Sequence, residues 1–363
     1  MTLWNAAGLA LVIGYFVVLD RLLLYWKSTP AERRQTPSRP SGISVVIAVK
    51  NGAGDLERLI AALRRQQHCD NPVEYIFVDD YSDDASAQVF QAHALPGYFR
   101  WLPPDGRRGK KSAVTRGVEA ARYPYVLTTD VDCVPVSSWV CTFARMVAAT
   151  HPVFVAGPVC FHETHSRFEK VQALDFCGMM AVTGGGITSG HLYLANGANM
   201  CFERQAFWDV GGYEDNLHIA SGDDMFLIEK LAQRHPPGAI RFLKSRRAVV
   251  YTRARAGVRA FFRQRLRWGG KNRMLRRPQI KALAALIWGL SWWILLSLGT
   301  PWGWAVWAVK ALADYRLLRS ATRFFDRTGL MKLFVPGAVF HILYIAIVGL
   351  FSLVTPVKSW KTD

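Results

Sequence analysis

Ile43-Ser-Val-Val-Ile-Ala-Val49 is a run of β-branched apolar side chains that stops at Lys50-Asn51-Gly52. A short, continuous apolar run closed by turn residues predicts a parallel strand buried on both faces. The pattern repeats downstream. Asp55–Gln67 has helical spacing, Glu74-Tyr-Ile-Phe-Val78 is a second buried strand, and it ends in Asp79-Asp80. Lys111–Ala121 is again helical, and Tyr125-Val-Leu-Thr-Thr129 is a third strand that ends at Asp130. Strand–helix–strand alternation predicts an α/β domain with a doubly wound, mostly parallel sheet. Ligands of such sheets bind at the carboxyl ends of the strands. Asn51, Asp79, Asp80, Asp130 and Asp132 all fall there.

The flanks are different. Leu3–Leu19 is apolar, and Leu22–Trp26 extends it past Asp20 and Arg21 to the length of a bilayer span. Basic residues follow it at Arg21, Lys27, Arg33, Arg34 and Arg39, without the basic start or small-residue cleavage site of a signal peptide. By the positive-inside rule the N-terminus lies outside and the next domain in the cytoplasm. Ala282–Ala313 is apolar and Trp-rich with a break at Gly299-Thr-Pro-Trp-Gly303, which predicts a hairpin of two short helices. A basic loop (Arg316, Arg319, Arg323, Arg327, Lys332) and another candidate span, Leu333–Val354, complete it. The expected organisation is a transmembrane helix over 1–27, a linker over 28–41 and a cytoplasmic catalytic domain over 42–250. An amphipathic interface helix over 251–280, membrane helices over 281–356 and a tail over 357–363 follow.

The net charge of +18 admits nucleic acid, an anionic membrane or an anionic substrate as partner. Arg241–Lys281 carries no Asp or Glu and abuts an apolar stretch, which fits lipid headgroups and argues against nucleic acid. None of the six cysteines forms a C-x-x-C pair, so buried free thiols are expected rather than zinc.

Five motifs carry the chemistry. Asp130-Val-Asp132, just past a strand, can share one divalent cation with substrate phosphates; Mg²⁺ or Mn²⁺ suits such oxygen ligands. An Asp-rich turn has the same composition. Asp79-Asp80 offers acceptors to a nucleoside, while Ser82, Asp83 and Asp84 beside it suit a helix cap. Arg107-Arg-Gly-Lys-Lys-Ser112 leads into a helix and suits a phosphate or a solvated turn. Asp223-Asp224 precedes a helical run, where a carboxylate stays ionised and can serve as a general base or as a cap. Gln264-Arg-Leu-Arg-Trp268 lies in a basic amphipathic helix able to rest in a membrane interface or to line an acceptor site.

Together and in this order these segments resemble the family 2 glycosyltransferases. The similarity is to the membrane-bound branch that includes cellulose, chitin and hyaluronan synthases and ceramide glucosyltransferase. Asn196-Gly-Ala-Asn199 and Gly211-Gly-Tyr213 belong to the same pattern. The resemblance implies a GT-A fold and an inverting displacement at the anomeric carbon of a UDP-sugar. It assigns Asn51, Asp79, Asp80 and Lys110 to the nucleotide and Asp130 and Asp132 to a metal. It makes Asp224 the base, with Asp223 where Glu is usual, and gives Gln264, Arg267 and Trp268 the diphosphate and acceptor. The chain departs from the pattern at Lys50, where an aromatic is usual, at Gly222-Asp-Asp224 in place of Thr-Glu-Asp, and in having few membrane helices. Transfer to a lipid or membrane-associated glycan acceptor at the cytoplasmic membrane is therefore expected. A small processive polysaccharide synthase and a non-catalytic membrane scaffold are the alternatives.

Overall fold

The computed structural model describes residues 2–30, 41–95, 97–162, 164–219, 222–272 and 277–352. Most of the expected linker, the tail, Arg33, Arg34 and Arg39 lie outside these residues. The chain opens with helix α1 (Leu3–Ser28). It continues through β1 (Ile43–Val49), α2 (Ala53–Arg64), β2 (Val73–Asp79), α3 (Ser86–His93), β3 (Phe99–Leu102), α4 (Lys110–Ala120) and β4 (Tyr125–Asp130). Next come β5 (Val134–Pro135), α5 (Trp139–Thr150), β6 (Phe154–Ala156), β7 (Val159–His162) and the long α6 (Arg167–Ser189). β8 (Met200–Glu203), α7 (Arg204–Asp209), α8 (Asp223–Arg234), β9 (Ile240–Phe242) and β10 (Val250–Arg253) follow. Four helices end the described chain: α9 (Val258–Asn272), α10 (Pro278–Ser297), α11 (Pro301–Phe324) and α12 (Phe334–Ser352).

These elements form two compact units. One holds Pro30–Cys160 and Tyr193–Arg253; the other gathers the N-terminal helix, Phe161–Leu192 and the described chain after Arg253.

The first unit is built on a seven-stranded sheet of order β3-β2-β1-β4-β8-β6-β9. β1 runs parallel to β2 and β4, and β2 parallel to β3. Every residue of β1 is buried, which is why its sequence is continuously apolar rather than alternating. The register sets Val49 beside Asp79 and Ala48 beside Asp130, so the acidic residues that end β2 and β4 sit at one level of one sheet edge. β8 runs antiparallel to β4, pairing Met200 with Thr128, and this delivers the Asn196–Asn199 turn to the same edge. At the opposite edge the buried Glu74 accepts hydrogen bonds from Ser44 Oγ at 2.8 Å, Arg122 N at 2.7 Å and Arg100 Nη1 at 3.0 Å.

The sheet also depends on Asn199, which is fully buried. Its Nδ2 donates to the carbonyls of Pro158 at 2.8 Å and Ala248 at 2.9 Å, and its Oδ1 accepts from Trp139 Nε1 at 2.9 Å. One side chain thus ties the start of β8 to the turn before β7, to the turn before β10 and to α5.

Cys69 and Cys141 form a disulfide, which corrects the expectation that all the cysteines are free. The other four are buried thiols. The pair joins the turn before β2 to α5 across 72 residues, a separation at which spacing carries no signal.

The second unit is helical. Leu3–Ser28, Pro278–Ser297 and Thr328–Ser352 are long and apolar enough to cross a membrane. Asp20 is accommodated in α1 because Arg316 Nη2 lies 2.8 Å from it. The C-terminal hairpin is longer than the sequence suggests. α11 starts at Pro301 under the Thr300 cap and continues to Phe324, so Arg316, Arg319 and Arg323 are helical rather than in a loop. Their helix buries Val306, Lys310, Ala313, Leu317 and Ala321 at helical spacing.

α6 was not anticipated. A capping box starts it, with Ser166 Oγ accepting from Glu169 N and the Glu169 carboxylate accepting from Ser166 N. Its Gly185 is pressed against α1: a Cβ there would fall 2.3 Å from the Leu22 carbonyl oxygen.

Candidate active site

The carboxyl edge of the sheet gathers residues far apart in the chain, and Lys110 is the hub. Its Nζ lies 2.8 Å from Asp130 Oδ1 and 2.9 Å from Asp223 Oδ2. Burial alone would push the Lys110 ammonium down, but the two carboxylates outweigh it and hold the pKa well above the usual value. The Asp130 carboxyl is raised by burial, opposed by Lys110 and reinforced by the like charges of Asp132 and Asp223.

Local structure explains how Lys110 arrives there. Gly109 adopts φ 97°, a left-handed conformation that side chains disfavour, and turns the chain into α4. Its N–H donates to Asp80 Oδ1 at 2.7 Å, while Asp80 Oδ2 faces Lys50 Nζ at 3.6 Å. The buried Asp80 therefore sets the position of the residue before Lys110. The other basic residues of the loop are engaged elsewhere. Arg107 is paired with Asp105 and Glu119. Arg108 lies 4.2 Å over the Tyr81 ring, and Lys111 donates to the Asn216 carbonyl at 2.7 Å.

Gly197 closes the cluster from the β8 side. Its N–H donates to Asp224 Oδ2 at 3.3 Å, and its carbonyl accepts from Thr128 Oγ1 at 2.9 Å. A Cβ at this position would fall 2.6 Å from Asp223 Oδ2 and 3.0 Å from Lys110 Nζ, so only glycine lets the backbone come this close. Asp223 and Asp224 open α8, where the helix dipole favours ionised carboxylates. Asp223 is the buried partner of Lys110; Asp224 is half-buried. Tyr213 lies beneath them. Its hydroxyl is buried without a hydrogen-bond partner among the described residues, and burial, reinforced by Asp223, pushes its pKa well up.

Asp130, Asp132 and Cys133 bring one ligand atom each within 4.8 Å of one another. Burial pushes the Cys133 thiol well up, aided by Asp132 and Asp130, which leaves two carboxylates as the hard donors. Lys110 pairs with Asp130 and Asp223, and Asp132 adds its like charge to Asp130; this excess of negative charge fits a divalent cation bound through oxygen.

Asn51 and Asp79 act on the turns. Asn51 takes φ 47°, its N–H donates to Ser82 Oγ at 3.1 Å, and its Oδ1 accepts from Asp83 N at 3.0 Å. Asp79 Oδ1 accepts from Ser82 N at 3.0 Å. Asp84, which with Ser82 and Asp83 suits a cap for its own helix, accepts from Ala53 N at the start of α2, and Ser86 Oγ accepts from Gly52 N, each at 2.9 Å. Gln264, Arg267 and Trp268 are half-buried on α9 in the helical unit, where Trp268 packs against Phe176.

A mixed sheet with a parallel half, acidic strand ends and a paired Lys–Asp cluster at its carboxyl edge defines a GT-A domain. Residues 44–211 match the family model described as Glycosyl transferase family 2. The mannosyltransferase PcManGT from Pyrobaculum calidifontis, solved in complex with GDP-Man and Mn²⁺, shares the fold. It superposes with a TM-score of 0.60 over 96% of this chain and 99% of that one, at 19% identity. A poly-beta-1,6-N-acetyl-D-glucosamine synthase of Staphylococcus epidermidis is 21% identical over 74% of this chain and 65% of its own length. A pre-mycofactocin glycosyltransferase of Mycobacterium tuberculosis is 28% identical over 84% of this chain and 63% of its own length. The chain thus spans somewhat less than two thirds of either relative.

Proposed function

We propose that this protein is an inverting glycosyltransferase that moves a sugar from a UDP-sugar to a lipid or membrane-associated acceptor. The observation that carries the reading is the double contact of Lys110 with Asp130 and Asp223, which unites the end of β4 with the start of α8. Asp224 accepts the acceptor hydroxyl proton as that oxygen forms a bond to the anomeric carbon. The bond from that carbon to the diphosphate breaks on the opposite face, and its electron pair leaves with the nucleotide. Lys110 offers positive charge to the departing diphosphate and keeps Asp223 and Asp130 in place. Asp130 and Asp132 hold Mg²⁺ or Mn²⁺, which when bound neutralises charge on the leaving group. Asn51, Asp79 and Asp80 shape the nucleoside end, and Gln264, Arg267 and Trp268 serve the diphosphate and acceptor.

The apolar helices and the basic residues after α1 support a catalytic domain at the cytoplasmic face of a membrane. The synthase relative favours a second reading, a small processive polymerase. Full-length protein in native lipid, incubated with UDP- and GDP-sugars and followed by mass spectrometry, tests the reading. One hexose added per acceptor from a UDP donor is expected, and a ladder of products would select the polymerase. No product from any donor would overturn both.

A further inference from the structure

Within the α9 motif the most deeply buried side chain is not one of the three assigned to substrate. Arg265 is 5% exposed, between the half-buried Gln264 and Arg267. Its Nη2 lies 2.8 Å from Asp175 Oδ2 on α6. The Tyr344 hydroxyl on α12 donates to the same carboxylate, 3.0 Å from Oδ1 and 3.1 Å from Oδ2. Aromatic rings surround the guanidinium, with centroids at 4.7 Å for Trp268, 5.0 Å for Phe261 and 5.6 Å for Tyr344. Asp175, Arg265 and Tyr344 therefore join three helices of one unit.

We propose that Asp175 is a positioning residue for transfer: together with Tyr344 it fixes Arg265, and so the rotation of α9 about its axis. The inference rests on the reading that Gln264, Arg267 and Trp268 serve the reaction. Apolar packing of Phe261, Tyr344 and Val348 holds α9 against α12 but is non-directional. A charged hydrogen bond to a planar guanidinium held among ring faces is directional, and it fixes the angle at which the neighbours 264, 267 and 268 project. A buried ion pair is weak as a source of stability compared with an apolar pair of the same volume, so its use here fits orientation better than stability.

The test uses full-length protein in nanodiscs with a spin label on Arg259→Cys, an exposed site on α9 outside the motif. Asp175→Asn, Asp175→Glu and the apolar pair Asp175→Leu/Arg265→Met are compared. The apolar pair is expected to keep the melting temperature while freeing the label and lowering kcat by about 100-fold, the cost of a misplacement of about 1 Å. UDP affinity should fall with kcat, because Gln264 and Arg267 serve the diphosphate. Asp175→Asn should also free the label and lower kcat, but it strands the Arg265 charge and should lower the melting temperature as well; Asp175→Glu should restore part of both kcat and label order. Wild-type kcat and an unchanged label spectrum in the apolar pair would overturn the proposal. If no variant, wild type included, transfers sugar, the reading of function fails instead, and the label alone decides whether Asp175 fixes α9.

Discussion

Replacing Lys110 with methionine removes the ammonium that bridges Asp130 and Asp223. Lys110 is 13% exposed and Asp223 is 8% exposed, so the second carboxylate has little access to water. Removing one member of a buried ion pair costs about 3–5 kcal/mol, most of it from the stranded charge. Asp130 is 32% exposed and can recruit water, which places the expected loss near the lower end, about 3 kcal/mol. For a unit of this size that is a fall in Tm of roughly 6–12 °C. Adding Asp223→Asn to Lys110→Met removes one stranded charge and should recover roughly half of the loss. The cycle of the two single variants and the double variant should therefore show a coupling of at least about 1.5 kcal/mol, larger by whatever Asp223→Asn costs alone. The assay is calorimetric unfolding of full-length protein in nanodiscs with EDTA present, so that a divalent ion cannot replace the ammonium. A Lys110→Met Tm within about 1 °C of wild type, with an additive cycle, would refute the bridge.

Other outcomes follow from the same geometry. Asn199→Ala strands the Trp139 indole N–H and two carbonyls, at about 1–3 kcal/mol each, and should make the β-sheet unit sensitive to trypsin at 25 °C, or roughly that temperature. Gly197→Ala forces its Cβ against Asp223 and Lys110; transfer should be lost while far-UV circular dichroism stays as in wild type. Asp132→Ala should abolish the Mn²⁺-dependent gain in UDP affinity seen by titration calorimetry, and an equal gain in the variant would count against the metal role. Cys69 and Cys141 should resist alkylation in the purified protein until a reductant opens their bond, and labelling of both without reductant would contradict the disulfide.

The parts of the fold that were legible in the sequence are those where one physical cause dominates. β1, β2 and β4 read clearly because burial on both faces demands β-branched runs, and the carboxylates that end β2 and β4 mark the edge where a parallel sheet binds its ligand. α6 and α11 were harder because they bury charge. Asp175, Lys310 and Asp314 break the apolar pattern of a core helix and are acceptable only because each has a partner on another turn or another helix. The site was legible as a set of acidic positions but not as a network. No spacing links Lys110 to Asp223 or Gly109 to Asp80; those pairings come from the strand order and from the left-handed turn at Gly109. Asn199 was quoted within a motif, yet its role as a three-way pin depends on the chain segments that the sheet brings around it.

The most direct measurement is turnover and UDP affinity of Asp224→Asn side by side. The half-buried carboxylate at the head of α8 is held to remove the acceptor proton, while Lys110 and the neighbouring acidic pair carry the nucleotide. The variant should bind UDP as tightly as wild type and transfer no sugar above background. Turnover close to wild type would show that the proton leaves by another route and that this cluster is not where the sugar moves.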